Sequence, residues 1–150
     1  MDKVFHGSCY CGKTQVEVTG APLMALYCHC RSCRKWHSAP LAAGAAWLSG
    51  KVQITGDLMT SSHDPESQRV SCASCGGCVA NRKPGRGRVF VYLMTLAGSG
   101  LAVEPAFHIF YAERVMDMND GLPKYADGPE AFGYSGEMVD EPAKSAWRDE

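Results

Sequence analysis

Hydrophobic and polar positions change over short stretches of the chain, which is typical of β-strands separated by turns. The strand candidates are residues 14–18, 23–27, 41–47, 51–55, 58–61, 88–95 and 106–111. Residues 14–18 and 51–55 alternate as half-buried strands do, whereas 41–47 is a continuous apolar run around Gly44. Residues 88–95 are the strongest candidate because they are rich in Val, Phe and Tyr.

Helical periodicity is scarce in this sequence. Residues 32–37 could form one turn, and residues 113–120 could form another. Gly56-Asp57 predicts a hairpin turn between two strands, and the Pro, Gly, Asp and Glu residues from Gly121 onward predict an irregular tail. The fold class is therefore all-β (mainly β), with short antiparallel sheets and few short helices.

The length of the chain predicts one domain. Its 150 residues contain no internal repeat and no linker that would separate two cores. We expect this single domain to cover residues 1–150, with a core over about 4–125 and the irregular tail beyond it. A chain of this length buries enough surface to fold without crosslinks.

Charge and hydropathy argue against two classes of partner. Fifteen basic and 16 acidic residues give a net charge of −1, whereas nucleic-acid binding draws on an excess of Lys and Arg. The longest stretches without charged residues, 36–50 and 89–103, are too short for a membrane-spanning helix. The N-terminus lacks the apolar core of a secretory signal, so we expect a cytoplasmic protein.

Cysteine is the residue type that indicates the chemistry of this protein most clearly, because reducing compartments keep thiols available for metals or redox reactions. The eight cysteines lie in three groups: Cys9-Tyr10-Cys11-Gly12, Cys28-His29-Cys30-Arg31-Ser32-Cys33 and Cys72-Ala73-Ser74-Cys75-Gly76-Gly77-Cys78. A Cys-x-Cys pair in extended chain directs both sulfurs to one side. Together with a Cys-x-x-Cys pair followed by Gly, it supplies the four ligands of a closed structural zinc site.

The middle group predicts a different kind of site. Cys28, Cys30 and Cys33 offer three thiolates within six residues, and three protein ligands leave one zinc position open, as in catalytic sites. Cys78 would then be a packed thiol or would complete the middle site. Alternatively, the eight cysteines divide into two inert four-ligand sites.

The cysteine motifs carry a resemblance to a known family. The segments involved are Gly7-Ser8-Cys9-Tyr10-Cys11-Gly12, Cys28-His29-Cys30-Arg31-Ser32-Cys33-Arg34-Lys35, Cys72-Ala73-Ser74-Cys75-Gly76, His108-Ile109-Phe110 and Leu122-Pro123-Lys124-Tyr125. They resemble the glutathione-dependent formaldehyde-activating enzymes, a zinc domain of the S-(hydroxymethyl)glutathione synthase and centromere protein V type. The similarity covers residues 4–125.

The resemblance implies a zinc-stabilised, tent-like fold with two Zn²⁺ ions per chain, the second of them labile. It implies a structural zinc on Cys9, Cys11, Cys72 and Cys75. It also implies a catalytic zinc on Cys28, Cys30 and Cys33. The implied activity is that of a carbon–sulfur lyase, the reversible condensation of glutathione with formaldehyde to S-hydroxymethylglutathione.

Charge counting supports a role in thiol chemistry. Three thiolates and one Zn²⁺ sum to −1, so such a centre acidifies water less than a zinc bound by three neutral histidines. It is better suited to holding a substrate thiol as its thiolate, which could then attack an aldehyde carbon. The expected partner is a small-molecule thiol such as glutathione.

Several residues near the middle cysteines are candidates for contact with that substrate. Arg34 and Lys35 could pair with substrate carboxylates, and His37 could approach the open metal position. His29, between two ligands, would point away from the metal in extended chain. His108 lies in an apolar strand, so both are expected to be packed or hydrogen-bonded.

Two other function classes compete with the lyase. The first is a non-catalytic zinc-binding module for protein interaction, which would lack an exchangeable coordination position. The second is a thiol redox enzyme that uses Cys75 with Cys78, or Cys30 with Cys33, and would release zinc on oxidation.

Overall fold

The computed structural model describes residues 1–140 and confirms a mainly β protein. This part of the chain contains ten strands and one α-helix, joined by short 3-10 turns. The strands are β1 (Val4–Ser8), β2 (Thr14–Thr19), β3 (Met24–Cys28), β4 (Ala42–Leu48), β5 (Val52–Gly56), β6 (Leu58–Asp64), β7 (Ser67–Cys72), β8 (Cys78–Lys83), β9 (Arg88–Tyr92) and β10 (Phe107–Ile109), and the helix is α1 (Arg31–His37). No helix within residues 1–140 has the length and apolar character needed to cross a membrane.

The chain forms two compact units, each assembled from two separate segments. The first unit comprises Met1–Met24 and Gly44–Val103. The second comprises Ala25–Ala43 and the segment that begins at Glu104. That residues 1–150 fold as one domain stays a prediction.

The first unit contains a three-stranded antiparallel sheet in the order β1-β2-β5. Side chains alternate between the two faces of a strand, and in β2 the residues Val16 and Val18 are buried while Gln15 is exposed. Residues 14–18 therefore lie in the central strand of this sheet, and their side chains alternate between buried and more exposed positions as predicted. Its buried face contributes to the core of the unit.

A second antiparallel arrangement in this unit follows the order β4-β9-β8-β7-β6. Its core contains Trp47, Val70, Val79 and Val91, all almost fully buried. The Trp47 indole N–H donates to the Gly20 carbonyl oxygen at 3.0 Å, so this large side chain is buried without an unpaired donor. Strand β6 pairs with β7 alone among the described strands, and most of its residues are exposed.

The predicted hairpin at Gly56-Asp57 is wrong. Strand β5 pairs with β2, whereas β6 pairs with β7, so the chain changes sheets at this point. The Asp57 carbonyl oxygen accepts bonds from the Ala73 N–H and the Thr14 hydroxyl. Contacts with segments that are distant in sequence fix the place where the chain changes sheets. The residues of the turn alone therefore do not predict this change.

The second unit contains a parallel strand pair and the only α-helix among residues 1–140. Strand β10 pairs in parallel with β3, so that His108 is opposite Tyr27 and Ile109 is opposite Cys28. Helix α1 follows β3 after two residues and confirms the turn predicted for residues 32–37. The helix ends at His37 and is capped by Ser38, which adopts a left-handed conformation with φ 49°.

The helix predicted for residues 113–120 is absent; the chain there forms a 3-10 turn, Tyr111–Glu113, followed by irregular backbone. A local side-chain network replaces helical hydrogen bonds, because Arg114 pairs with Asp117 and the Met118 N–H donates to the Tyr111 hydroxyl. Residues 121–140 are irregular apart from one 3-10 turn and isolated bridges, as predicted. The rest of the predicted tail, 141–150, lies outside the described residues.

Gly7 in β1 lies against the backbone of the Thr95 peptide, and a Cβ at this position would overlap the Thr95 carbonyl oxygen. We expect Gly7→Ala to lower the free energy of unfolding by about 1–3 kcal/mol, because backbone must move to make room. Urea unfolding measures this loss.

Gly50 provides the matched control, since a Cβ there meets no atom within 4 Å and its φ is not positive. Gly50→Ala should change the free energy of unfolding by no more than about 0.5 kcal/mol. Equal effects of the two substitutions would contradict the close packing of β1.

Candidate metal centres

Four cysteines of the first unit converge at one end of their strands. Cys9 and Cys11 lie in the turn after β1, Cys72 ends β7, and Cys75 lies in the turn before β8. Their sulfurs are all within 4.8 Å of one another. Two tight turns produce this convergence, and in each a glycine has positive φ, Gly12 after the first pair and Gly76 after the second.

The sulfur spacing fits a tetrahedral metal ion. Zinc–sulfur bonds of about 2.3 Å place neighbouring sulfurs about 3.8 Å apart in a tetrahedron. The Cys9–Cys11 and Cys11–Cys72 sulfur pairs are each separated by 3.7 Å. All eight cysteines of the chain are free thiols, and this spacing is far longer than a disulfide bond.

Backbone amides also favour thiolate at this four-cysteine centre. The Thr14 N–H donates to the Cys9 sulfur at 3.3 Å, and the Gly77 N–H donates to the Cys75 sulfur at 3.4 Å. Burial raises the pKa of the Cys9 thiol, but the Thr14 N–H and the thiols of Cys72 and Cys11 outweigh it and bring the pKa to about 6. The backbone of Lys13 lowers the pKa of the Cys11 thiol, but burial and the neighbouring thiols outweigh it and raise that pKa to about 11. The centre thus combines one thiol that ionises readily with one that resists ionisation until a cation binds.

The second unit holds a three-cysteine centre built from six consecutive residues. Cys28 ends β3, Cys30 caps the start of α1, and Cys33 lies in the first turn of that helix. The Cys33 N–H donates to the Cys30 sulfur at 3.3 Å. The three sulfurs lie within 4.8 Å of one another, and within residues 1–140 no other His, Cys, Asp or Glu joins the group.

Crowding of thiols in this centre disfavours ionisation when no cation is present. The neighbouring thiols of Cys30 and Cys33, followed by burial, raise the pKa of Cys28 well above its usual range. The Cys28 thiol lowers the pKa of Cys30, but Cys33 and burial outweigh it and raise that pKa overall. Both thiols are therefore protonated near pH 7 without metal.

Cys78 belongs to neither centre. It begins β8, lies opposite Ser71 of β7 and is half-buried. Burial raises the pKa of this thiol, and the charge of Arg69 offsets only part of that effect. The geometry thus separates the eight cysteines into four, three and one, and Cys78 is a packed thiol.

Helix α1 determines where the predicted substrate contacts lie. His37 follows Cys33 by four residues and so shares its side of the helix, whereas Lys35 is about 160° away around the helix axis. Lys35 is exposed. The Arg34 Nε–H donates to the His29 carbonyl oxygen at 2.9 Å, which ties the first turn of the helix to the cysteine segment.

His29 and His108 are both fully buried and hydrogen-bonded, as predicted. His29 Nε2 lies 2.8 Å from His108 Nδ1, and His108 Nε2 lies 2.7 Å from the Asp120 carboxylate. The other oxygen of Asp120 accepts from the Lys124 ammonium at 2.8 Å. Sequence reasoning missed Asp120, although its spacing of four residues from Lys124 suited an ion pair.

The fold and the two centres define a mainly β protein whose cysteine side chains could hold two metal ions. The chain belongs to the glutathione-dependent formaldehyde-activating enzyme family, whose sequence model matches residues 4–113.

A solved structure of a protein from Rhodobacter sphaeroides, a structural genomics target, is similar to this chain with a TM-score of 0.52 and 22% sequence identity. The similarity covers 67% of this chain and 91% of that one. It supports the fold alone. None of the curated proteins matches this chain.

Because Cys28 and Cys30 are protonated near pH 7 and metals bind thiolates, Zn²⁺ binding at the three-cysteine centre should release at least about two protons. Its apparent affinity should then fall about 100-fold as the pH falls from 8 to 7. Competition with a chelator, corrected for the chelator's own protons, measures this dependence.

Cys28→Ser removes one of these thiols and should release fewer protons when the metal binds. An affinity at the three-cysteine centre that is independent of pH would contradict the protonation states derived above.

Proposed function

We propose that the protein is a zinc-dependent carbon–sulfur lyase that interconverts formaldehyde and glutathione with S-hydroxymethylglutathione. In this proposal Cys9, Cys11, Cys72 and Cys75 hold a structural zinc, and Cys28, Cys30 and Cys33 hold a catalytic zinc. Membership of the formaldehyde-activating family supports the substrate class. The three-cysteine centre is the observation that carries the proposal, because three sulfurs leave a fourth tetrahedral position for a ligand from outside.

The two centres differ in a way that suits a division of roles. The four-cysteine centre has a complete tetrahedral ligand set from two distant segments of the chain, so it would crosslink them. The three-cysteine centre takes all its sulfurs from one segment and crosslinks nothing distant. A zinc ion held there would supply an open coordination position that lowers the pKa of an incoming thiol.

The reaction needs one new bond and one proton transfer. The thiol sulfur bonds to the formaldehyde carbon as the C=O double bond becomes a single bond, and the thiol proton ends on the former carbonyl oxygen. His37 is the candidate to carry this proton, because it lies one helical turn from Cys33 on the same side of α1. The reverse reaction breaks the carbon–sulfur bond and returns the proton.

Charged residues of the same helix are the candidates for binding the substrate carboxylates. Arg34 is half-buried at the first turn of the helix that carries Cys33, so its positive charge lies near the three-cysteine centre. Lys35 is exposed on the other side of the helix, so it suits long-range attraction of an anion better than direct contact.

The proposal places the protein in the cytoplasm, where thiols stay reduced.

Metal counting tests the assignment of the two centres. We expect two Zn²⁺ per chain in the native protein by mass spectrometry under non-denaturing conditions, and one after Cys30→Ser. A mild chelator should remove the ion of the three-cysteine centre first, because it has fewer protein ligands. Cys78→Ser should keep both ions, since Cys78 belongs to neither centre; loss of an ion from that variant would contradict the assignment.

Exchange spectroscopy by NMR tests the activity. The exchange of glutathione and formaldehyde with their hydroxymethyl adduct is measured with and without protein, and the zinc-loaded protein should accelerate it. Cys30→Ser should reduce the acceleration at least about 100-fold while retaining the native circular dichroism spectrum, because it removes a ligand of the catalytic ion.

Cys78→Ser is the control and should exchange at the native rate. A parallel series of other small thiols identifies the preferred cosubstrate. If the native protein accelerates exchange with none of them, the result contradicts the lyase and favours the zinc-binding module.

A further inference from the structure

A hydrogen-bonded chain of four side chains runs through the second unit; three of them are buried, and the side chain of the fourth, Asp120, is 29% exposed. It connects His29, His108, Asp120 and Lys124 through contacts of 2.8, 2.7 and 2.8 Å. The rings of His29 and His108 are fully buried, and Lys124 is buried at 5% exposure. Such a network is costly to bury unless each donor meets an acceptor.

The order of donors and acceptors can be worked out from its charged end. Lys124 can only donate, and a carboxylate can only accept. One Asp120 oxygen accepts from Lys124 and from the Leu122 N–H. The other oxygen must therefore accept the proton of His108 Nε2.

One proton remains to be placed between the two histidine rings. The positive charge of Lys124 already balances Asp120, and a charged His108 ring would lie fully buried. A neutral His108 that carries its proton on Nε2 presents Nδ1 as an acceptor. His29 must then donate from its own Nε2.

We propose that this chain holds His29 and His108 as neutral Nε2–H tautomers, and that His108 and Asp120 are positioning residues which, through His29, place Cys28 and Cys30 for metal binding. The proposal rests on the metal-binding part of the proposed function and not on its thiol chemistry.

The backbone of His29 transmits this positioning to the cysteines. Its N–H donates to the Ile109 carbonyl oxygen at 3.1 Å, and its carbonyl oxygen accepts from Arg34 at 2.9 Å. Cys28 and Cys30 are its immediate neighbours, so a rotation of the His29 peptide would move both sulfurs. The hydrogen bond between the His29 and His108 rings holds the His29 side chain in place and so restrains this rotation of the backbone.

Aromatic packing restrains the His29 ring further. The Tyr111 ring meets it edge to face, with centroids 4.9 Å apart and planes at 88°. The Arg114 guanidinium lies over Tyr111, 4.4 Å from its centroid. These contacts make ring reorientation costly.

The remaining nitrogen of His29 agrees with the proposed tautomer. His29 Nδ1 is buried and has no hydrogen-bond partner among the described residues. In the proposed tautomer it is a bare acceptor, whereas the opposite tautomer would bury an unpaired N–H donor. Buried donors without partners are rarer than incompletely satisfied acceptors.

The ionisation of His108 and Asp120 points in the same direction. Burial lowers the pKa of His108, although Asp120 partly offsets this. Burial raises the pKa of Asp120, but its bonds with Lys124 and His108 outweigh this and hold the pKa at about 2.

Long-range proton–nitrogen NMR of histidine-labelled native protein tests the tautomers directly. At pH 7 both rings should give the pattern of a neutral imidazole with its proton on Nε2. A proton on His29 Nδ1, or a doubly protonated His108, would overturn the proposal.

Asp120→Asn tests the positioning role. The amide oxygen should face Lys124 and the Leu122 N–H, where it accepts two bonds, so the NH₂ group faces His108. His108 must then accept at Nε2 and carry its proton on Nδ1, which forces His29 to Nδ1–H as well. We expect both tautomers to reverse, a change that a role in stability alone would not cause.

The same variant should bind Zn²⁺ at the three-cysteine centre about 10–100-fold more weakly, as is common when outer hydrogen bonds to a metal site are lost. The four-cysteine centre is the internal reference and should keep its affinity. Asp127→Asn is the matched control, because it removes a carboxylate of the same unit whose hydrogen bonds go to Gly128 and Ser135; it should leave both tautomers unchanged.

Unchanged zinc affinity in Asp120→Asn would overturn the positioning role. If the variant does not fold, the tautomers of the native protein decide the proposal. Failure of the native three-cysteine centre to bind zinc would instead refute the proposed function, so the two failures are distinguishable.

Discussion

The constraint on which much of this structure depends is that cysteine sulfurs must come together at two points. Four sulfurs meet in the first unit because two tight turns, each with a glycine at positive φ, bring distant strand ends together. In the second unit, three sulfurs meet because the chain passes from a strand into a helix within six residues. The thiols crowd one another in both places, and a cation relieves that crowding when it replaces their protons.

In the second unit, a buried polar side chain lies beside the cysteines that come together. The residue between Cys28 and Cys30 is a fully buried histidine, His29, and not an aliphatic side chain. Aliphatic packing is nondirectional, whereas a hydrogen bond fixes both the distance and the orientation of a ring. A network that ends in the paired charges of Asp120 and Lys124 can therefore define the position of nearby ligands closely.

The sequence predicted local features well and long-range pairing poorly. Residues 14–18 and 32–37 matched β2 and α1 because strand alternation and a single helical turn depend on residues that are close together in the sequence. The hairpin at Gly56-Asp57 failed because the strand partners were remote in sequence. The helix expected at 113–120 failed because side chains there satisfy the backbone, and single-sequence periodicity does not show such bonds.

Some features of the candidate site were likewise predictable from the sequence, and others were visible only in the structure. The pattern of short apolar runs and turns by itself determined the mainly β class. Motif spacing determined the existence of clustered thiols and the family to which they point, because each group of ligands lies within a few residues of sequence. Only the tertiary structure decided that Cys78 stands apart from both centres and that His29 reaches His108 and Asp120. These outcomes depend on strand register and on burial across more than 70 residues of chain, since His29 and His108 are 79 positions apart.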